Sequence, residues 1–148
     1  MSLSWISEIE LLHLAVTSYL CGVIWLVQKV HYPSFQFVSQ KAFLEFHRFH
    51  SQSITPVVAP AMVLELLSSI ALLWLHRGEW LWLLNFLSVV LIWGVTFGIS
   101  APLHKKLAEH RNWTSAPLLI HRLIATNWLR TGLWSLRAIY LWITLSSF

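Results

Sequence analysis

Three charged residues stand inside runs that are otherwise apolar: Glu65, Arg130 and Arg137. A charge at the middle of a bilayer costs several kcal/mol unless it is paired or faces a wet cavity, so each marks a candidate functional residue. A guanidinium forks onto planar anions and carbonyl oxygens, and a carboxylate set between two of them leaves one fork free for a ligand. These three are the candidate catalytic residues. The plainer alternative is a structural Glu–Arg pair, which accounts for only one of the two arginines.

A second group is rich in imidazole. His47 and His50, at i and i+3, share a helical face and point one way, and His104 or Glu65 completes a ligand shell, which makes His47, His50 and His104 the candidate metal ligands. His31 belongs to the same cytoplasmic cluster, with His110 and His121 nearby. The plainer reading is that histidines at a membrane surface hydrogen-bond to headgroups and water. His13 with His76 offers an axial pair for haem, so the cofactor expected is a metal ion or haem, of undetermined identity. The lone Cys21 excludes an intramolecular disulfide and any multi-cysteine metal site.

The elements that must position these groups follow from composition. Apolar residues make up 57% of the 148 residues and charged residues 11%, with ten Trp, no Asp, and a mean hydropathy of +0.64. Soluble domains carry about 25% charged residues, so this chain has too little polar surface for water on all sides. The reading is an all-α, polytopic membrane four-helix bundle in one transmembrane domain, 1–148. Its spans are expected at about 9–30, 54–76, 80–101 and 122–146, arranged as two hairpins, each span matching a hydrocarbon core of about 30 Å.

The start of the chain, with two Glu and no basic residue before a long apolar run, does not read as a cleavable signal. Lys29, Lys41, Arg48, Lys105, Lys106, Arg111 and Arg122 flank the connections between spans one and two and spans three and four, and Arg77 alone lies on the other side. That distribution places the two longer connections in the cytoplasm and both termini outside, in a bacterial inner membrane, with Trp5, Trp80, Trp82 and Trp142 as the outer aromatic belt. The net charge of +4 is then topological and calls for no nucleic acid. The partners expected are the lipid bilayer, a lipophilic small molecule, and a homo-oligomer or larger membrane complex. Pro33 and Pro102 are expected to end spans one and three, 34–50 to lie along the cytoplasmic surface as a short amphipathic helix, and Pro60 to bend span two.

Helical spacing of three or four aligns His13, Thr17, Cys21, Gln28 and His31 on span one and Thr55, Met62, Glu65, Ser69 and His76 on span two. It aligns Asn85, Ser88, Thr96 and Ser100 on span three and Asn127, Arg130, Trp134 and Arg137 on span four. Much of this is ordinary interhelical hydrogen bonding, worth about 0.6 kcal/mol per contact. Gln28, His31, Tyr32, Asn127 and Trp134 are the candidate ligand-binding residues. Counted from the start of its span, Glu65 lies about 16 Å deep and Arg130 and Arg137 about 12 and 22 Å, so the three bracket one level. The two halves also share a Pro-closed span and a His-Arg pair, His47-Arg48 and His121-Arg122, consistent with parallel repeats. The His47/His50 face and the Glu65/Arg137 pair are expected to line one cavity open to the cytoplasm.

The pieces Gln28-x-x-His31-Tyr32-Pro33-x-Phe35, Pro102-x-His104-x-x-Leu107 and Asn127-Trp128-x-Arg130-Thr131-x-x-Trp134-x-x-Arg137 cover about a fifth of the chain. They resemble a group of small, uncharacterised bacterial four-span membrane proteins. More distantly, the proline closing span three and the Asn/Arg pattern of span four are similar to the anthrone-oxygenase-like membrane domain, which implies a cofactor-free or metal-assisted oxidation of a polycyclic phenol. Here Pro102 is followed by Leu103-His104 where that family tends to carry asparagine. Two function classes follow: an intramembrane oxidoreductase or oxygenase for a lipophilic substrate, or a non-catalytic accessory subunit or haem- or lipid-binding protein.

Overall fold

The structure, a computed structural model, describes residues 4–109 and 115–146, with the backbone alone for residues 4–6. His110 and Arg111, the chain ends, and the side chain of Trp5 lie outside the described residues. The described residues are helical nearly throughout, with no strand: α1 (Ser4–Leu26), α2 (Tyr32–Ser34), α3 (Gln40–Leu75), α4 (Trp80–Val95), α5 (Ala101–Glu109) and α6 (Ala116–Ser146). Three stretches, Ser7–Phe37, Gln40–Leu75 and Trp80–Glu109, are long and apolar enough to cross a membrane, which is compatible with an integral membrane protein. α6 matches them in length at 31 residues, but Arg122, Arg130 and Arg137 make it less apolar than the rest. Its polar groups Asn127, Arg130, Thr131 and Arg137 are buried, while Leu129, Leu136, Ile139 and Ile143 face outward.

Two expectations, one about proline and one about the segment 34–50, are corrected. Pro33 and Pro102 do not end their helices: each sits in the first turn of a new helical piece, α2 and α5, directly after a five-residue π-helical segment, Val27–His31 and Thr96–Ser100. The wider turn changes the hydrogen-bond partners just where proline supplies no N–H, so the rod continues. The first rod ends instead at Val38, where φ −85° and ψ 130° leave the helical region. Residues 40–50 likewise form no separate surface helix. They are the opening turns of α3, a single helix of 36 residues that runs through Pro56 and Pro60. Just ahead of these prolines Ser51 Oγ donates to the His47 carbonyl at 3.0 Å and Thr55 Oγ1 to the Ser51 carbonyl at 2.7 Å, so both hydroxyls turn back onto their own helix.

α1 packs on α3 and α6, and α4 on α3 and α6, so the interior is enclosed by four long helices. Gly78, at φ +92°, makes the tight turn from α3 to α4, a backbone region that glycine enters without a Cβ clash. At this turn end a small cluster holds Leu14, Leu72, Trp82 and Leu141. The larger core, with Leu20, Ile24, Phe35, Ile92, Leu123 and Trp134, fills the middle and the opposite, basal end.

Candidate functional site

Two polar clusters and one cavity occupy the interior, separated by the indole of Trp134. The first cluster centres on Glu65, which is fully buried on α3. Arg137 Nη1 donates to Glu65 Oε1 at 2.6 Å, Thr17 Oγ1 donates to the same oxygen at 3.2 Å, and Trp134 Nε1 donates to both carboxylate oxygens at 3.1 and 3.2 Å. The rest of the Arg137 fork is taken by Asn85 Oδ1, at 3.2 Å from Nε and 3.1 Å from Nη2. His13 Nε2 accepts from Arg137 Nη2 at 3.1 Å and from the Asn85 amide at 3.0 Å. These two donors assign the proton to Nδ1, which then donates to Ser68 Oγ at 2.7 Å. Both His13 nitrogens are engaged, so the expected axial haem pair of His13 with His76 does not form. His76 pairs instead with Glu10 at 2.8 Å.

Arg130 stands on the other side of Trp134, one ring face away, with its guanidinium 5.3 Å from the ring centroid. The expected carboxylate between two arginines is therefore corrected. Arg130 and Arg137 are two turns apart, about 10 Å along α6, and Glu65 reaches only one of them. Arg130 is 7% exposed and belongs to none of the ion pairs among the described residues. Its Nη1 donates to Asn127 Oδ1 at 3.3 Å, the Tyr32 phenol lies against it, and its Nε has no partner. Gln28 and Asn127 build this position: Asn127 Nδ2 donates to Gln28 Oε1 at 2.9 Å and Gln28 Nε2 to the Ile124 carbonyl at 3.1 Å.

Basal to Arg130 the four histidines converge. His104 Nδ1 lies 3.0 Å from His47 Nε2, and His104 Nε2 lies 2.9 Å from Tyr32 Oη. The rings of His31 and His50 are 4.2 Å apart by centroid, and those of His50 and His104 stack at 5.5 Å. Phe35, fully buried, sets its edge against His47 at 5.9 Å and His50 at 5.2 Å. The expected joint metal ligation by His47, His50 and His104 is not what these contacts provide. Among the described residues no group of three or more His, Cys, Asp or Glu side chains is arranged to hold a metal ion. Two ring nitrogens that a metal would need are instead turned toward each other and a third toward a phenol.

A cavity of about 370 Å³ lies between these clusters, within the range of about 300–1,000 Å³ usual for small-molecule sites. Tyr32, His50, His104 and Arg130 gather at its basal end, and its walls are apolar, among them Leu20, Ile24, Met62, Trp93 and Trp134. Glu65, Arg137 and His47 do not line it. This corrects the expectation that the histidine face and the Glu65/Arg137 pair share one cavity: Trp134 closes off the pair, and His104 stands in front of His47. Of the residues picked from sequence, Tyr32, Trp134, Arg130, His50 and His104 reach the cavity, Gln28 and Asn127 support Arg130, and His31 backs His50. Asn85, placed on a polar stripe but not in the site, proves central to the Arg137 network. Its signal was available, since Asn85 and Ser88 are the only polar side chains between Trp80 and Val95.

No protein-family model, curated protein or solved structure matches the chain.

Proposed function

We propose that residues 1–148 form a single four-span domain of a bacterial inner membrane, with α1, α3, α4 and α6 crossing and both termini outside. We further propose that it is an oxidoreductase or oxygenase acting on a lipophilic substrate. The outward apolar face and buried polar face of α6 support the fourth crossing.

One observation carries the function: a buried guanidinium with no carboxylate partner among the described residues stands at the closed end of an apolar cavity. An uncompensated buried charge costs several kcal/mol, and an anionic or carbonyl oxygen of a ligand offsets that cost. In this reading Arg130 holds the substrate oxygen, and the adjoining Tyr32 and His104 carry its proton. Transfer of a proton from an acidic O–H or C–H of the substrate to an imidazole leaves an anion that the guanidinium balances, and that electron-rich anion is the species an external oxidant such as dioxygen attacks. Glu65 and Arg137 act as positioning residues, since they fix the indole that floors Arg130. A second reading, a non-catalytic accessory subunit or lipid-binding protein, is favoured by the closed Glu65–Arg137–Asn85 network, in which each of the three guanidinium nitrogens of Arg137 already has a partner.

The test is mass spectrometry of the protein taken from native membranes. A small lipophilic molecule with one acidic or carbonyl oxygen is expected to accompany the wild type and to be lost from Arg130→Ala. Retention of the same molecule by Arg130→Ala, or occupancy by bulk phospholipid alone, sinks the proposal.

A further inference from the structure

The cavity has a closed end and an open side, and they face different solvents. At the basal end the aromatic cluster of His31, Phe35, His47, His50 and His104 fills the space between α2, α3 and α5, with neighbouring rings 4.2 to 6.4 Å apart and His47 and His50 only 2% and 3% exposed. Rings at van der Waals spacing leave no passage for a ligand from that direction. At the back, Leu20 and Ile24 of α1 and Trp134 of α6 are buried. The exposed lining lies on one side: Thr55, Ala59 and Val63 on α3, and Phe97 and Ala101 on the opposite rod. The rim of that opening is apolar, with Val63 and Phe97 both exposed.

The two sides of the opening are irregular in the same way. On α3 it is flanked by Pro56 and Pro60, which leave gaps in the backbone hydrogen-bond ladder, and on the other rod by the π-helical segment Thr96–Ser100, which contains Gly98 and follows closely on Gly94. Small side chains and interrupted ladders are what allow two helices to stand apart at mid-length while they touch at both ends. The basal touch is His50 stacked on His104, and the other is the packing of α3 on α4 toward the Gly78 turn.

We infer that the ligand enters sideways from the lipid through this window between α3 and the α4–α5 rod, and that it is a lipid-dissolved amphiphile with a single acidic oxygen. It slides in with that oxygen leading to Arg130, Tyr32 and His104, and its apolar body trails along Met62 and Trp93 toward the bilayer. The lining from Ser51 to Val63 spans about 18 Å along α3, long enough for a headgroup and several turns of apolar body. The inference rests on the proposed binding role of Arg130 and adds to it the route and the class of ligand.

The experiment uses the full chain in phosphatidylcholine vesicles with two photoreactive probes, a diazirine-tagged alkyl carboxylic acid and a diazirine-tagged alkylphenol, beside a tagged alkane without an acid group. Adducts on Met62, Trp93 and Val63 are located by mass spectrometry against time after mixing. The wild type is expected to be labelled inside the cavity by an acid probe and not by the alkane, and the better acid probe names the headgroup. Ala59→Trp narrows the window and is expected to slow cavity labelling about tenfold, whereas Phe97→Ala widens it and is expected to speed labelling, because both act on access. Opening the basal plug with Phe35→Ala is expected to leave the rate unchanged. Wild-type rates in both window variants, or faster labelling in Phe35→Ala, overturn the sideways route. Equal labelling by the alkane overturns the acidic class. Absence of cavity adducts with every probe in the wild type overturns the Arg130 binding role itself, which separates that failure from failure of the route.

Discussion

Glu65→Ala is the sharpest test of the interior, because the carboxylate accepts from three side chains on two other helices. Its removal leaves Arg137 as a buried cation without a counter-charge, and breaking a buried pair in this way costs about 3–5 kcal/mol. The Trp134 indole and the Thr17 hydroxyl lose their acceptor at the same time. Each orphaned group alone costs about 1–3 kcal/mol, but the terms share one oxygen pair and do not add. With about 2–4 °C lost per kcal/mol for a chain of this size, Glu65→Ala is expected to melt about 10–15 °C below wild type in mild detergent. Glu65→Gln keeps one acceptor oxygen for Arg137, Thr17 and Trp134 and turns the other into an NH2 donor, so its drop is expected to be smaller than that of Glu65→Ala. The double variant Glu65→Ala with Arg137→Leu removes the stranded cation and is expected to recover part of the loss. Thermal melts followed by size-exclusion fluorescence measure all three. A Glu65→Ala melt within about 2 °C of wild type, against a method error that is small beside about 3 kcal/mol, refutes the claim that this carboxylate holds the bundle together.

Two further outcomes follow from the same geometry. In a Cys21→Ala background, single cysteines at positions 2 and 147 are expected to react with an impermeant maleimide from outside and one at 108 only after permeabilisation; the reverse pattern removes the assigned orientation while leaving the helix packing intact. The occupied nitrogens of His104 lead to the expectation that chelator treatment leaves the melting temperature unchanged and that elemental analysis finds no stoichiometric metal; one bound zinc or iron per chain, lost in His104→Ala, overturns this.

The fold was legible where hydrophobic periodicity is long and uninterrupted, and the interior charges announced themselves because nothing in an apolar run hides a carboxylate. Periodicity also placed His47 and His50 on one face, and they do meet His31 and His104. The partners within the site were less legible. Arg130 and Arg137 lie on the same stripe of α6, and spacing alone cannot say which of two like charges a single carboxylate takes; the indole between them decides it. The prolines misled for a local reason. Pro33 and Pro102 read as terminators because an α-helix has no place for them, and a sequence pattern of period 3.6 carries no sign that a π-helical segment stands just ahead.

The two π-helical segments set the phase of everything that follows them. A π turn holds roughly one residue more than an α turn, so each segment advances the downstream face by about 100° relative to an uninterrupted α-helix. Tyr32 and Phe35 owe their inward direction to the first segment, and His104 and Leu107 owe theirs to the second. A one-residue deletion in Val27–His31 or Thr96–Ser100 would restore a regular α-helix and at the same stroke swing Tyr32 or His104 out toward the lipid. In alignments of relatives these ten positions should therefore admit length change hardly at all, so that a fixed distance from each π segment to its proline is the trace this architecture leaves in sequence.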